Sequence, residues 1–340
     1  MVASTRSTRS TRSTRSTRST RSTRSTRSTR STRSGDGFDG YYANAYHSPR
    51  LAAALIANRE ATIGPAPAEG AARPLSKTTG ASVDVFQWST DVRHSIFVGE
   101  LMEGVAFTDS ANAETKDDNI FAAVTAGNHT ITLPRPTEDE LKEGLATILA
   151  MAPLRDEREA EIDIQITDIL PFFAAVVDIN DERHPVTIRL AELILDVTIL
   201  CHQQMKHRLN VVRPSLRSVR VQPMLPTPGH GSCPSGHATE SWALARVLGR
   251  LLAEGLGEQH ADYVAQVQKQ FDSTAARIAE NRIVAGLHYT VDNERGQSLG
   301  EGLANYFLDR LGSDDGPLGQ LWEAARLEWS EAEDKPFVGV

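Results

Sequence analysis

Apolar residues recur at helical spacing through most of the chain after residue 137. The clearest pattern follows Pro185, where one broad apolar face continues to about Lys206 and predicts a central helix. Its apolar positions are Val186, Ile188, Leu190, Leu193, Ile194, Val197 and Leu200. Similar patterns predict helices over residues 157–175, 235–254, 261–285, 291–311 and 318–332. Because proline interrupts helical hydrogen bonding, we expect a kink at Pro171 in the first of these.

The part of the chain before this helical half is less regular. Thr137 and Glu140 form a capping box ahead of a further apolar face, which predicts a helix start. Upstream, residues 35–136 are rich in Gly and Ala and show no long clean period. A helix is predicted over residues 41–58, whereas residues 84–107 fit either a helix or an extended segment.

The N-terminus is a simple repeat, because residues 4–33 are ten copies of Ser-Thr-Arg. A period of three matches no helix face and buries nothing, so we expect residues 1–34 to be a disordered tail. A mostly helical extension or cap is predicted over residues 35–150, and a helical bundle that carries the site over residues 151–340. Since the second half contains no convincing series of strands, the predicted fold class is all-α.

Charge and composition exclude several classes of function. The chain has a net charge of −8, but ten of its basic residues lie in the acid-free tail, which leaves 26 basic and 44 acidic residues elsewhere. Such an acidic body argues against nucleic acid as a partner. The sequence lacks a run of 18 apolar residues and an apolar leader, so we expect a soluble, cytoplasmic protein without a membrane span. Cys201 and Cys233 resemble neither a disulfide framework nor a zinc ligand set.

Three short motifs carry the chemistry. The first reads K-x6-RP; the second, PSGH, follows after 19 residues; the third, N-R-x5-H-x3-D, follows after 43 more. The residues of interest are Lys206, Arg213, Ser235, Gly236, His237, Arg282, His288 and Asp292. The spacing of the third motif places its histidine and aspartate on one face of a helix, where the carboxylate can orient the imidazole.

The residue types in these motifs suit an oxyanion. Lys206, Arg213 and Arg282 are cations, and the planar guanidinium of arginine matches phosphate oxygens. Ser235 and Gly236 stand at a predicted helix start, where free backbone N–H groups and the helix dipole attract anions. A glycine there permits close backbone approach. The two histidines are of a type that acts as nucleophile or as acid and base near neutral pH.

Each feature alone has an ordinary structural explanation. A serine at a helix start commonly caps the helix, and a single histidine is usually a satisfied structural residue. Arg282 is explained equally well as a surface arginine with an acidic neighbour. The occurrence of all these residue types together, in order and at three fixed spacings, favours a site over the structural explanations.

The combination K-x6-RP, PSGH and R-x5-H-x3-D resembles the signature of the type 2 phosphatidic acid phosphatase and vanadium haloperoxidase superfamily. The resemblance covers about residues 186–310 and implies an all-α bundle with its site at one end of the core helices. One position departs from the pattern, because Asn281 stands where the family usually has serine. That change leaves open how the hydrogen bonds behind Arg282 are made.

The resemblance also implies roles. Lys206, Arg213 and Arg282 would clamp the oxyanion, and Ser235 with the Gly236 N–H would complete its cradle. In a phosphatase, the residues that carry the reaction would be His288 as nucleophile, Asp292 as its orienting carboxylate and His237 as acid and then base. In a haloperoxidase, His288 would be the axial ligand of a vanadate cofactor and His237 would act on bound peroxide.

The sequence leaves the reaction open. Hydrolysis of a small phosphoric monoester, without a cofactor, is placed ahead of peroxide-dependent halide oxidation with vanadate. The missing membrane spans disfavour a lipid phosphatase, whereas Ala238 after the histidine resembles the haloperoxidases. A non-catalytic anion-binding or scaffold protein is the third alternative. Trp242, His230 and Cys233 are further candidates for lining the pocket, although core packing explains the tryptophan equally well.

Overall fold

The computed structural model describes residues 89–110, 120–313 and 316–330. The predicted tail over residues 1–34 and the predicted helix over residues 41–58 lie outside these ranges. Among the described residues, no helix combines the length and the apolar character needed to cross a membrane. The division into an extension and a bundle at residue 150 remains a prediction.

The described residues form a helical bundle with one small sheet, which confirms the all-α prediction for the bundle. The elements of the first half are α1 (Thr90–Met102), β1 (Val105–Asp109), β2 (Phe121–Ala126), β3 (His129–Pro134), α2 (Glu138–Met151), α3 (Arg155–Thr167) and α4 (Leu170–Val177). Those of the second half are α5 (Pro185–Leu209), α6 (Pro214–Arg217), α7 (Gly236–Leu256), α8 (Ala261–Val284), α9 (Thr290–Ser313) and α10 (Pro317–Leu327). Short 3₁₀ turns lie at Ala152–Leu154 and Glu258–His260.

Two long helices, α5 and α7, form the centre of the bundle. The α5 helix is largely buried, as its broad apolar face predicted, and it ends at Leu209, where Asn210 adopts a left-handed conformation. The α7 helix packs against α5, α8, α9 and α10. Because other helices surround both of them, side chains at the C-terminal end of α5 and at the start of α7 come together inside the bundle.

The α9 helix lies very close to the first turns of α7, and two glycines permit this. A Cβ atom at Gly296 would stand 2.7 Å from the Ser235 carbonyl oxygen, and one at Gly300 would overlap the Thr239 carbonyl oxygen. Any larger residue at either position would push the helices apart. The start of α7 and the start of α9, which carries His288 and Asp292 at its N-terminal side, are therefore held against each other.

The region predicted to be mostly helical, over residues 35–150, contains a three-stranded antiparallel sheet that we did not anticipate. Its order is β1-β2-β3, with Val124 of the central strand paired to Phe107 and to Ile131. The stretch over residues 84–107 fits both a helix and an extended segment because it contains the whole of α1 and the first residues of β1, while residues 84–88 lie outside the described ranges. The sheet packs against α5 and α9, so it covers one side of the bundle.

The helix predicted over residues 157–175 is two helices, not one kinked helix. The α3 helix ends at Thr167 and α4 restarts at Leu170, with the Asp168 side chain accepting a hydrogen bond from the Leu170 N–H at 2.9 Å. Pro171 explains the break, because a proline ring clashes with the carbonyl four residues earlier, which belongs to Thr167. By contrast, the capping box of Thr137 and Glu140 is confirmed.

The C-terminal segment clamps the start of α5. The Glu328 carboxylate accepts hydrogen bonds from the Val186 N–H at 2.7 Å and from the Thr187 N–H at 2.8 Å. The Trp329 ring stacks on His184, with ring centroids 4.1 Å apart. A carboxylate at a helix N-terminus satisfies otherwise unpaired N–H groups and interacts well with the helix dipole. Glu328 therefore ties the last described residues to the central helix.

Replacing Glu328 with alanine should lower the free energy of unfolding by about 2 kcal/mol, because two N–H groups lose a charged acceptor. Urea denaturation measures this change. The matched control is Glu323→Ala, whose carboxylate pairs with the neighbouring Arg326 on the surface and should cost less than about 0.5 kcal/mol. Equal effects of the two variants would contradict the clamp.

Candidate active site

All eight sequence-predicted site residues meet at one end of the core helices. They come from the end of α5, the loop after it, the first turn of α7, the end of α8 and the start of α9. Seven of the eight are buried, and His237 is partly exposed. The three motifs, which are far apart in the chain, therefore form one cluster.

Lys206 is buried at the last turn of α5 and is held by the loop that precedes α7. Its ammonium donates hydrogen bonds to the Ser232 carbonyl at 3.0 Å and to the carbonyls of Gly231 and Pro234. Burial, with Arg213 nearby, lowers the pKa of Lys206 well below its usual range, while Asp292 opposes this. An oxyanion bound beside it would favour its charged form.

Arg213 connects the loop to the catalytic histidine candidate. Its guanidinium donates to the carbonyls of His230 at 3.1 Å and Leu287 at 2.9 Å, and it lies 3.0 Å from His288 Nε2. Burial lowers the pKa of Arg213 to about 10, so it stays charged at neutral pH. Three of its N–H groups are thereby fixed, which holds the planar fork in one orientation.

His288 and Asp292 form the predicted orienting pair, but not as neighbours on one helix face, because His288 lies in the loop before α9 and only Asp292 is in the helix. His288 Nδ1 lies 3.1 Å from Asp292 Oδ2. Asp292 also accepts from the Tyr289 N–H at 3.1 Å and the Ser232 hydroxyl at 3.4 Å. With Nδ1 donating to the carboxylate, Nε2 is the acceptor that faces Arg213. The pair therefore presents a nitrogen lone pair toward the cations.

The charges around this pair favour a neutral imidazole. Burial lowers the pKa of His288 well below 6.5, and the nearby Arg213 and Lys206 lower it further. Burial also raises the pKa of Asp292, although Lys206 limits that rise. A neutral imidazole is the form that can act as a nucleophile or as a ligand.

Arg282 and His237 form the other side of the cluster. Arg282 donates to the Gln165 side-chain oxygen at 2.7 Å, and its guanidinium lies 3.4 Å from His237 Nε2. The same His237 nitrogen lies 3.0 Å from the Gln165 carbonyl oxygen. One nitrogen cannot be donor and acceptor at once, and the shorter contact requires an Nε2 proton. His237 thus carries its proton on the nitrogen beside Arg282.

Ser235 is at the N-cap position of α7, but its hydroxyl does not cap the helix. The residue is fully buried, and its Oγ has no hydrogen-bond partner among the described residues. Its N–H donates to the Asp292 carbonyl at 2.8 Å. A buried hydroxyl without a partner is costly unless something occupies its site. The capping explanation for this serine is therefore wrong, and an oxyanion suits it.

Asn281 makes the hydrogen bonds behind Arg282 that the usual serine of the family pattern would otherwise provide or leave out. Its amide donates to Glu161 at 2.8 Å and to the Gln165 side chain at 3.2 Å, and its oxygen accepts from Arg158 at 2.9 Å. The adjacent guanidinium of Arg277 lowers the pKa of Glu161 to about 2. Asn281 therefore joins α3 to α8 and positions Gln165, whose side chain in turn accepts a hydrogen bond from Arg282.

Sequence reasoning missed Gln165 and Ser232, because neither belongs to a motif and each acts through contacts made only in the fold. The further pocket candidates fall into two groups. Trp242 is 9% exposed and packs in the core with Phe271 and its neighbours, and Cys233 is a buried free thiol. His230 lies beside Arg213, with Nδ1 3.2 Å from its guanidinium, and burial lowers the pKa of His230 to about 4.

Comparison with known proteins identifies a similarity in the part of the chain that carries the site. Residues 213–313 match the family model described as the VCPO second helical-bundle domain. One similar solved structure is a transmembrane PAP2 type phosphatidylglycerolphosphate phosphatase from Bacillus subtilis, with 19% identity and a TM-score of 0.39, covering 52% of this chain and 89% of that chain. No curated protein matches the sequence. The family match supports the superfamily resemblance, and it includes every predicted site residue except Lys206.

Changing Asn281 to serine should weaken binding of orthovanadate about tenfold, or ~1.4 kcal/mol, because Gln165 and Arg282 lose their support. Isothermal titration calorimetry measures the affinity. The control Asn180→Ser also removes an amide with two hydrogen bonds, but it lies on the exposed loop before α5 and should leave affinity unchanged. An Asn281→Ser protein that binds as tightly as the parent would contradict this support role.

His288 should titrate below pH 6.5 in the free protein, since burial and the cations disfavour its charged form. Saturation with inorganic phosphate should raise the pKa, because an anion favours the imidazolium. Nitrogen-15 NMR of the histidine ring measures both values, with the His288→Gln variant providing the assignment. A pKa of 6.5 or above without phosphate, or a downward shift with it, would show that the charge arrangement is wrong.

Proposed function

We propose that this chain, whose residues 213–313 match the model of the VCPO second helical-bundle domain, is a member of the type 2 phosphatidic acid phosphatase and vanadium haloperoxidase superfamily that hydrolyses phosphoric monoesters. The observation that carries the proposal is the orientation of His288. Its Nδ1 is held by Asp292, and its Nε2 lies 3.0 Å from the Arg213 guanidinium. A nucleophile is thus directed at the place where cations would hold a phosphoryl group.

Binding of the phosphoryl group uses groups that are already in place. Lys206, Arg213 and Arg282 neutralise its charge, and the Ser235 hydroxyl with the first N–H groups of α7 donates to its oxygens. The carbonyls that hold Lys206 and Arg213 also fix their direction. Because the cations are positioned before substrate arrives, stabilisation of the transition state requires little reorganisation.

The first step is attack of His288 Nε2 on phosphorus. A P–N bond forms as the P–O ester bond breaks, and the electron pair goes to the leaving oxygen. His237, in its imidazolium form, supplies a proton to that oxygen and becomes neutral, and Asp292 stabilises the imidazolium formed on His288. In the second step His237 takes a proton from water, which attacks phosphorus. The P–N bond breaks, and inorganic phosphate leaves with His288 restored.

Vanadium-dependent haloperoxidase activity is the second candidate, and the family match favours it, because the matched model carries the VCPO description. The residues fit vanadate for the same reasons that they fit phosphate. The buried Ser235 hydroxyl lacks a hydrogen-bond partner among the described residues, and three buried cations belong to the site. His288 Nε2 would bind the vanadium, and Lys206, Arg213 and Arg282 would hold the oxygens. Bound vanadate would supply the centre at which peroxide oxidises halide.

A paired assay distinguishes the two reactions. Hydrolysis of p-nitrophenyl phosphate that orthovanadate inhibits supports the phosphatase, and halogenation of a dione with orthovanadate, peroxide and bromide, without hydrolysis, supports the second candidate and refutes the first. His288→Ala should reduce either activity by at least about 1000-fold, since the nucleophile or ligand is lost. The control His207→Ala removes an exposed histidine of α5 and should keep full activity. Unchanged activity in His288→Ala would refute both reactions at this site.

A further inference from the structure

A second histidine–carboxylate pair lies directly beneath the start of α7. His202 Nε2 stands 3.3 Å from Glu240 Oε1, and both residues are 3% exposed. His202 is one turn before Lys206 on α5, and Glu240 is one turn after Gly236 on α7. The pair therefore joins α5, which carries Lys206, to α7, which begins at Gly236. Neither residue belongs to the three motifs.

The His202 ring occupies the space that a side chain at position 236 would need. A Cβ atom built on Gly236 would lie 3.0 Å from both Cε1 and Nε2 of His202, and 3.4 Å from Glu240 Oε1. Contacts of 3.0 Å are tighter than nearly all those that real Cβ atoms make, so a methyl group here would require the ring or the backbone to shift by a few tenths of an ångström. The ring is thus packed against the backbone whose N–H group is expected to face the anion.

We propose that His202 and Glu240 are positioning residues for the oxyanion cradle: the His202 ring supports the backbone of Gly236, and Glu240 fixes that ring. This inference rests on the proposed oxyanion site. It also changes the reason for the glycine. On sequence grounds Gly236 admits the anion, whereas in the fold the missing side chain makes room for His202. The two explanations predict different behaviour when both residues are changed.

The test is a double-mutant cycle read by orthovanadate affinity, measured directly by calorimetry so that turnover is not needed. Gly236→Ala should weaken binding at least tenfold, because the methyl group displaces the first turn of α7. His202→Ala should weaken it about tenfold, because the turn loses its support. The double variant should bind more tightly than either single variant, since the new methyl group fills the space left by the ring.

Removing His202 also takes away one partner of a buried carboxylate, which would weaken any variant for an unrelated reason. The same cycle is therefore repeated with Glu240→Gln, which keeps the shape of the side chain without its charge. Glu240→Gln by itself should keep most of the affinity if the carboxylate acts through the ring, because the amide oxygen can still accept from His202. The recovery in the double variant should persist in this background.

A matched control uses another glycine of the same helix. A side chain at Gly249 would overlap Gln268, and this position is 13 residues, or about 20 Å, along α7 from Gly236. Changing Gly249 and Gln268 to alanine, singly and together, should alter the free energy of urea unfolding and leave orthovanadate affinity unchanged. Comparing the two cycles distinguishes a specific effect on orthovanadate affinity from a general effect of helix packing on stability.

The results that would overturn the inference are specific. If the losses from Gly236→Ala and His202→Ala add, or if the double variant is the weakest, then the glycine is needed for the anion and not for the ring. If His202→Ala lowers stability but leaves affinity unchanged, the pair is merely structural. A parent protein that binds no orthovanadate would overturn the proposed function together with this inference.

Discussion

The need to satisfy three buried cations determines much of this structure. Lys206, Arg213 and Arg282 are each at most 3% exposed, and burying a charged group without partners costs several kcal/mol. The loop between α5 and α7 provides the partners for the first two through backbone carbonyls, and the end of α3 provides them for Arg282 through Gln165. These partners are neutral, so the cluster keeps a net positive charge that an oxyanion complements. In the proposed site, a preference for anions is the expected result of holding the cations with carbonyls in place of carboxylates.

The helices could be predicted from the sequence where one apolar face with helical spacing packs against the core. The two errors, a kinked helix in place of two helices and a missed sheet, have local physical causes. The position of Pro171 predicts a kinked helix, but the proline ring excludes the carbonyl of Thr167, so the helix ends there instead. The sheet was missed because its strands are short and its apolar residues do not alternate cleanly. A usable signal did exist in the Gly127-Asn128 pair between β-branched residues, since a two-residue turn of this kind commonly joins strands.

The motif residues of the site could be predicted because their order and spacing match a known signature. His288 and Asp292 do meet, but His288 lies in the loop before α9, so their contact depends on how that loop enters the helix and not on helical spacing. Gln165 could not be predicted, since it reaches Arg282 only because α3 packs against α8. Asn281 lies between these cases: its identity was read from the sequence, but its function requires Glu161 and Arg158, which come from a helix more than a hundred residues away.

The start of α7 combines these constraints at one point. Gly296 and Gly300 let α9 approach it from one side, and Gly236 lets His202 approach it from another. The Ser235 N–H is already used by the Asp292 carbonyl, so the serine hydroxyl and the following N–H groups are what the turn offers to a ligand. Because Asp292 contacts both Ser235 and His288, movement of the first turn of α7 also moves His288. In the proposed site, close packing around this one turn therefore couples oxyanion binding to the orientation of His288.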